Sequence, residues 1–158
     1  MTDTRSTRLD DVNARLDAVI ATPDSVLVAT APELAEELLR LGEAILEIWL
    51  AAHDVEPTTR TVEGFRLLAL HRQGARGEPS FNACRETCRE LIYHRNLVIL
   101  DPAHADTACR LRLGAMVARH LALFIGGKLE IAGLGDFCCS SRALRQHEAT
   151  AAQRTEIA

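Results

Sequence analysis

Apolar residues recur along this chain at helical spacing, and that periodicity is the first thing to explain. After the start signal Thr30-Ala31-Pro32-Glu33, residues Leu34, Leu38, Leu41, Ile45, Ile48 and Ala52 follow at intervals of 4, 3, 4, 3 and 4. Thr30 and Glu33 have capping-box spacing, and Pro32 suits a first turn. The repeat predicts a helix with a coiled-coil-like seam, and Leu39, Leu46, Trp49 and Leu50 widen it toward a second neighbour. Upstream, Leu9, Val12, Leu16 and Val19 predict an amphipathic helix from about Thr7 to Ile20, stopped by Thr22-Pro23-Asp24. Val26-Leu27-Val28 reads as a tight apolar connector.

Downstream, His53 to Arg60 reads as a polar linker, and a third helix is expected from about Thr61 to Gly74, with Val62, Phe65, Leu68 and Ala69 on one face. Gln73 to Pro79 is the clearest loop, rich in Gly and Pro. Ser80 is placed to cap a fourth helix reaching Leu100, with Phe81, Cys84, Cys88, Leu91, Ile92, Val98 and Ile99 as its core stripe.

The segment Leu111–Ile125, given a start by Asp101-Pro102, is apolar almost all round. Gly114, Ala118, Leu121 and Ile125 share one face, Met116 and Leu123 point elsewhere, and Arg112, Arg119 and His120 leave a narrow polar seam. A helix of this kind is normally covered on most sides, so it is expected at the centre of the fold. Gly126-Gly127 should end it, and a last helix is expected from Asp136 or Ser140 to Gln146. The pattern predicts an all-α protein: an antiparallel helical bundle of about four long helices with one or two short extra ones. Residues 1–146 are expected to form a single domain, with 147–158 expected as a flexible C-terminal tail.

Composition changes this picture little. The apolar content of 47% with only 4% aromatics gives a core of Leu, Ala, Val and Ile, which favours helices over sheets. No basic-then-apolar leader opens the sequence, and no apolar run reaches the roughly 20 residues a membrane-spanning helix takes. Five cysteines, an odd number, favour free thiols in a reducing compartment, hence a cytoplasmic protein. The net charge of -4 is unevenly spread. Residues 1–57 hold four Arg against twelve acids, and residues 58–120 hold ten Arg against six. Two such segments attract one another, within a domain or between copies.

Candidate chemistry sits mostly on the fourth helix. Cys84 and Cys88, four residues apart, could join Cys109, Cys138 or Cys139 in a zinc or iron site, but they share a stripe with Phe81 and Leu91, so packing as small core residues is the favoured reading. Glu90 and His94, with Glu86 a turn earlier, put carboxylates and an imidazole on one side. Glu43, Glu47 and His120 could add ligands, although the Glu-x-x-His spacing of di-iron bundles is absent. His120 reads as a core or interface histidine, and His53, His71, His104 and His147 as solvated ones. Cys138-Cys139, at an expected helix start, offers a reactive thiol. Arg95 falls inside the apolar stripe, so it either requires a carboxylate or carbonyl partner, with Glu43 or Glu47 the natural candidates, or snorkels to the rim near the helix end.

No catalytic constellation emerges, so an enzyme is not the favoured reading. The expected function is association, as a homodimer acting as an accessory or regulatory protein. The alternatives are a metal- or thiol-dependent bundle using Cys84/Cys88 or the Glu90/His94 face and, more weakly, nucleic-acid binding through Arg85 and Arg89.

Overall fold

The computed structural model describes residues 3–134, with side chains from Arg8 onward, and shows an all-α fold. Four long helices carry it: α1 (Asp3–Ala21), α3 (Ala31–Ala52), α5 (Arg85–Leu100) and α6 (Thr107–Ile131). Two short ones, α2 (Asp24–Ala29) and α4 (Arg66–Gly74), and a 3-10 turn at Pro79–Cys84 link them. The expected helix after Asp136, the pair Cys138-Cys139, His147 and the tail lie outside the described residues.

Named contacts fix the helix directions. The α3 residues Gly42 and Glu36 face Leu91 and Arg95 of α5, so those helices run antiparallel. Leu38 meets Gly114 and Trp49 meets Lys128, so α3 and α6 run parallel. Asp17 and Thr22 of the α1 end face Arg119 and Arg112, which makes α1 antiparallel to α6. Helices α3 and α6 therefore form a central parallel pair, with α1 and α5 running the opposite way.

The seam expected in α3 is buried at Leu34, Leu38, Ile45, Ile48 and Ala52, and so are its flanking Leu46, Trp49 and Leu50. Helices α1, α4, α5 and α6 all pack against it. Its apolar flank is thus consumed inside the chain and is not an open dimer surface.

Several boundaries differ from expectation, each for a local reason. Val26-Leu27-Val28 forms a short helix with only Leu27 buried. Thr30 does not cap α3: its amide bonds to Leu27 O and its hydroxyl turns back toward Val26 O, so it closes α2 instead. A reciprocal turn between Val62 and Phe65, with Glu63 and Gly64 at φ 55° and 85°, delays α4 from Thr61 to Arg66. Ser80 caps nothing and α5 begins only at Arg85, because Phe81 is drawn fully into the core within a tighter 3-10 turn. Ile99, expected in the core stripe, is exposed. Asp101-Pro102 lies in the turn before α6, which starts at Thr107. Gly126-Gly127 does not end α6: two glycines cost helix propensity, but Gly126 is buried against neighbours and the helix runs on to Ile131. The stop is a Schellman cap, with Gly133 at φ 72°, Leu134 N–H bonding to Leu129 O and Gly133 N–H to Glu130 O.

The charge imbalance is resolved within the chain. Asp17–Arg119, Asp24–Arg112, Glu36–Arg95 and Glu47–Arg66 each join the acidic first third to the Arg-rich middle. Arg95 pairs with Glu36, not with Glu43 or Glu47, because the antiparallel register of α5 carries its C-terminal end to the start of α3. Glu47 is taken by Arg66, and burial pushes the Glu43 carboxyl above the ordinary range.

Two outcomes follow from this packing. A Cβ at Gly74 would stand 2.9 Å from Phe81 Cε1 and 3.3 Å from Trp49 Cδ1. Phe81 is locked by Trp49, His71 and Phe124 around its ring. Gly74→Ala should therefore lose about 1–2 kcal/mol to overpacking in a urea melt, despite alanine's better helix propensity. Glu37 is held below the usual carboxylate range chiefly by hydrogen bonds from Arg15, against opposing burial. Its lowered value means the pair stabilises above the ordinary glutamate pKa of about 4.3 and is lost as pH falls through the folded value. Glu37→Gln should cost less than about 1 kcal/mol at pH 7, since the pair is partly exposed, and the difference should vanish in unfolding curves taken near pH 3.

Candidate functional site

Cys84 ends the 3-10 turn and Cys88 follows one turn into α5, so both sulfurs face inward among the core residues. Cys84 is 2% exposed and Cys88 fully buried. Beside them lies His71, which sequence reasoning placed in solvent and the structure buries. The signal was present: Leu67, His71 and Gly74 share one face of α4 at helical spacing, and all three are buried. His71 Nε2 and Cys84 Sγ both donate to the carbonyl of Phe81, at 2.8 and 3.1 Å.

These contacts tune one another. Hydrogen bonding with Cys88 holds the Cys84 thiol below the usual range, against the opposing effect of burial, and His71 adds to the lowering. Cys88 is pushed up by the same bond and by burial. Burial works against a charged His71, but its bonds to Cys84 and the Phe81 carbonyl outweigh that and raise its pKa. An acidic thiol beside an imidazole is nucleophile chemistry in kind, yet no reagent reaches a sulfur this enclosed.

The remaining candidates do not converge. Glu90 Oε1 stands 3.8 Å from His94 Nε2, with the carboxylate exposed and the imidazole largely buried. His94 Nδ1 has no hydrogen-bond partner among the described residues. It adjoins a hollow of about 10 Å³ between Leu38, Leu91 and Gly114, on the scale of one water molecule. Glu43 and Glu47 lie on α3 with Glu47 committed to Arg66, while His120 is exposed on α6 and not in the core. No group of three or more His, Cys, Asp or Glu side chains among the described residues is arranged to hold a metal ion. Cys84, Cys88 and Cys109 are free thiols.

What the structure does bring together is a surface. Cys109, Leu113, Met116, His120 and Leu123 are all exposed and follow one another along α6 at spacings of 4, 3, 4 and 3. Leu113, Met116 and Leu123 remain 41%, 53% and 63% exposed. The opposite side of α6, from Leu111 through Ala118 to Leu129, is buried against α1, α3 and α5. The helix is covered on most sides, and the side left open is that of Met116 and Leu123. Along one flank, Arg112 and Arg119 are neutralised by Asp24 and Asp17; along the other, Val117 and Phe124 are half-buried. No helix of the described residues is long and apolar enough to cross a membrane.

No known family model matches this chain, and comparison with curated proteins and with solved structures likewise gives no match.

The thiols give a direct check. Alkylation of the native protein, read by peptide mass mapping, should label Cys109 well ahead of Cys84 and Cys88, which should react only on unfolding. Cys84→Ala and Cys88→Ala should each cost about 1 kcal/mol, the scale of a small core truncation, with melting insensitive to chelator.

Proposed function

We propose that this chain acts by association: two copies pair through the uncovered seam of α6, and the dimer serves as an accessory or regulatory protein in the cytoplasm. The open heptad-spaced stripe on α6 carries this reading. A stripe at 4-3-4-3 spacing is the shape one helix offers to another of the same repeat. Exposed apolar side chains on that spacing have a cost in water that pairing removes. Three features favour a second copy as occupant. A two-fold interface is self-complementary and needs only this surface. The flanking Arg112 and Arg119 are already neutralised within each chain, so two like surfaces meet without facing charges. His120, mid-seam, is the kind of single polar residue that fixes register in such pairs. Free thiols at Cys84, Cys88 and Cys109 suit a reducing compartment.

Sedimentation equilibrium tests the reading, with Met116→Glu/Leu123→Glu as the seam variant. The unaltered protein is expected as a dimer at micromolar concentration, and the variant as a monomer with its helical signal intact. A monomeric unaltered protein across that range would contradict the proposal. So would a variant that unfolds, because the seam would then be covered within a single chain.

A further inference from the structure

Away from the α6 seam, two hollows open side by side over α4. One, of about 460 Å³, is walled by Thr58, Arg60, Thr61 and Gln73; the other, of about 280 Å³, by Asn82, Arg85 and Arg89. Val62, Arg72 and Arg76 line both, so the hollows share a wall and two guanidiniums. Each falls near the size range of small-molecule sites. No carboxylate lines either hollow.

The cationic groups here are mostly unspent. Arg89 is paired with Glu63, through two bonds of 3.1 Å. The side chains of Arg60, Arg72, Arg76 and Arg85 have no ion pair or hydrogen bond with a described residue, and the Glu63 carboxylate that Arg89 binds acts on Arg72 and Arg85 only through space. Arg72 and Arg76, with Arg60 in one hollow and Arg85 in the other, concentrate like charge that a bound anion relieves. The wall is also built in advance. Gln73 ties the strap at residues 56–58 by accepting from Thr58 N–H and donating to Glu56 O, and Arg66 donates to Thr58 O. The reciprocal Val62–Phe65 turn holds the rest.

We propose that the cationic wall shared by the two hollows over α4 binds the diphosphate group of a small molecule, with Arg72 and Arg76 as its principal partners. Guanidinium matches phosphate oxygens by paired, charge-assisted bonds, and a group with two adjacent tetrahedral anionic centres offers enough oxygens to engage both shared guanidiniums at once. Thr58, Thr61 and Asn82 supply neutral polar contacts at the outer edges. Recognition of a nucleic acid strand is disfavoured, since no Phe, Tyr or Trp lines either hollow to stack a base.

Titration calorimetry of the full-length protein in chloride buffer tests this, with inorganic pyrophosphate as the probe and sulfate at equal ionic strength as comparison. Pyrophosphate should bind saturably, one per chain, and raise the melting temperature, while sulfate does neither to a comparable degree. Arg72→Gln and Arg76→Gln should each weaken binding on the order of tenfold, as loss of a charge-assisted contact does. Arg40→Gln, an equal charge change on exposed α3 surface, should leave it unaltered. Without ligand, the hollow variants should melt at or above the unaltered protein's temperature, because like charges are removed; Arg85→Gln, on a different element, provides a second variant should either fail to fold. ADP binding within a few-fold of pyrophosphate would assign the site to the diphosphate of a nucleotide as readily as to the free ion, and both outcomes support the proposal. Pyrophosphate no better than sulfate, affinity unchanged in the Arg72 and Arg76 variants, or binding of oligo-dT without binding of pyrophosphate would overturn it.

Discussion

The fold depends on how closely α3 can pass its neighbours. A Cβ at Gly42 would stand 2.6 Å from Leu91 Cδ2, and one at Gly114 would stand 3.4 Å from Leu38 Cδ1. Leu91 is itself enclosed, so it has little room to give way. Gly42 lets α5 close on α3 and fixes their antiparallel register, while Leu38 meets Gly114 of α6 at ordinary contact distance on the other side. That register then brings Arg95 to Glu36 and sets the central parallel pair of α3 and α6. Once α6 has spent one side on this packing, its Met116 and Leu123 side has nothing left in the described chain to cover it.

Charge plays a different part from the one its segregation suggests. The acidic first third and the Arg-rich middle are complementary, and the chain folds so that they meet each other through four ion pairs. Partly exposed pairs like these contribute little stability each, but they select which surfaces face one another. An interface between copies then rests on apolar contact and not on that imbalance. Among the arginines without an ion pair, Arg60, Arg72, Arg76 and Arg85 differ in being gathered around two adjoining hollows.

Much of this was legible in the sequence wherever a single helix face decided the outcome. The α3 repeat and the Gly114/Ala118/Leu121/Ile125 face of α6 were read from spacing, and they are buried as read except for half-buried Leu41. Cys84 and Cys88 sit with Phe81 and Leu91 in the core, as their shared stripe implied. What spacing does not carry is the register between helices: it showed that Arg95 falls on the inward stripe but not that Glu36, about two and three turns from the expected partners Glu43 and Glu47, would meet it. Local start and stop signals misled where tertiary packing outweighed them. Thr30 serves the helix before it, Phe81 tightens the turn expected to open α5, and buried Gly126 stays helical. The open side of α6 was invisible for the same reason, since coverage is a property of neighbours. His71 was legible but missed, because its position near a helix end was weighed above its place on the Leu67 and Gly74 face.

The central claim is that the α6 seam is covered by a second copy, and Met116 reports on it directly. Its side chain is half exposed in the single chain and sits in the middle of the seam. Hydroxyl-radical footprinting across a dilution series, with Met116 oxidation read by mass spectrometry, measures its cover in solution. If the account holds, Met116 is protected at high concentration and becomes steadily more reactive on dilution, in step with the change in sedimenting mass. Oxidation that stays fast and independent of concentration would contradict it.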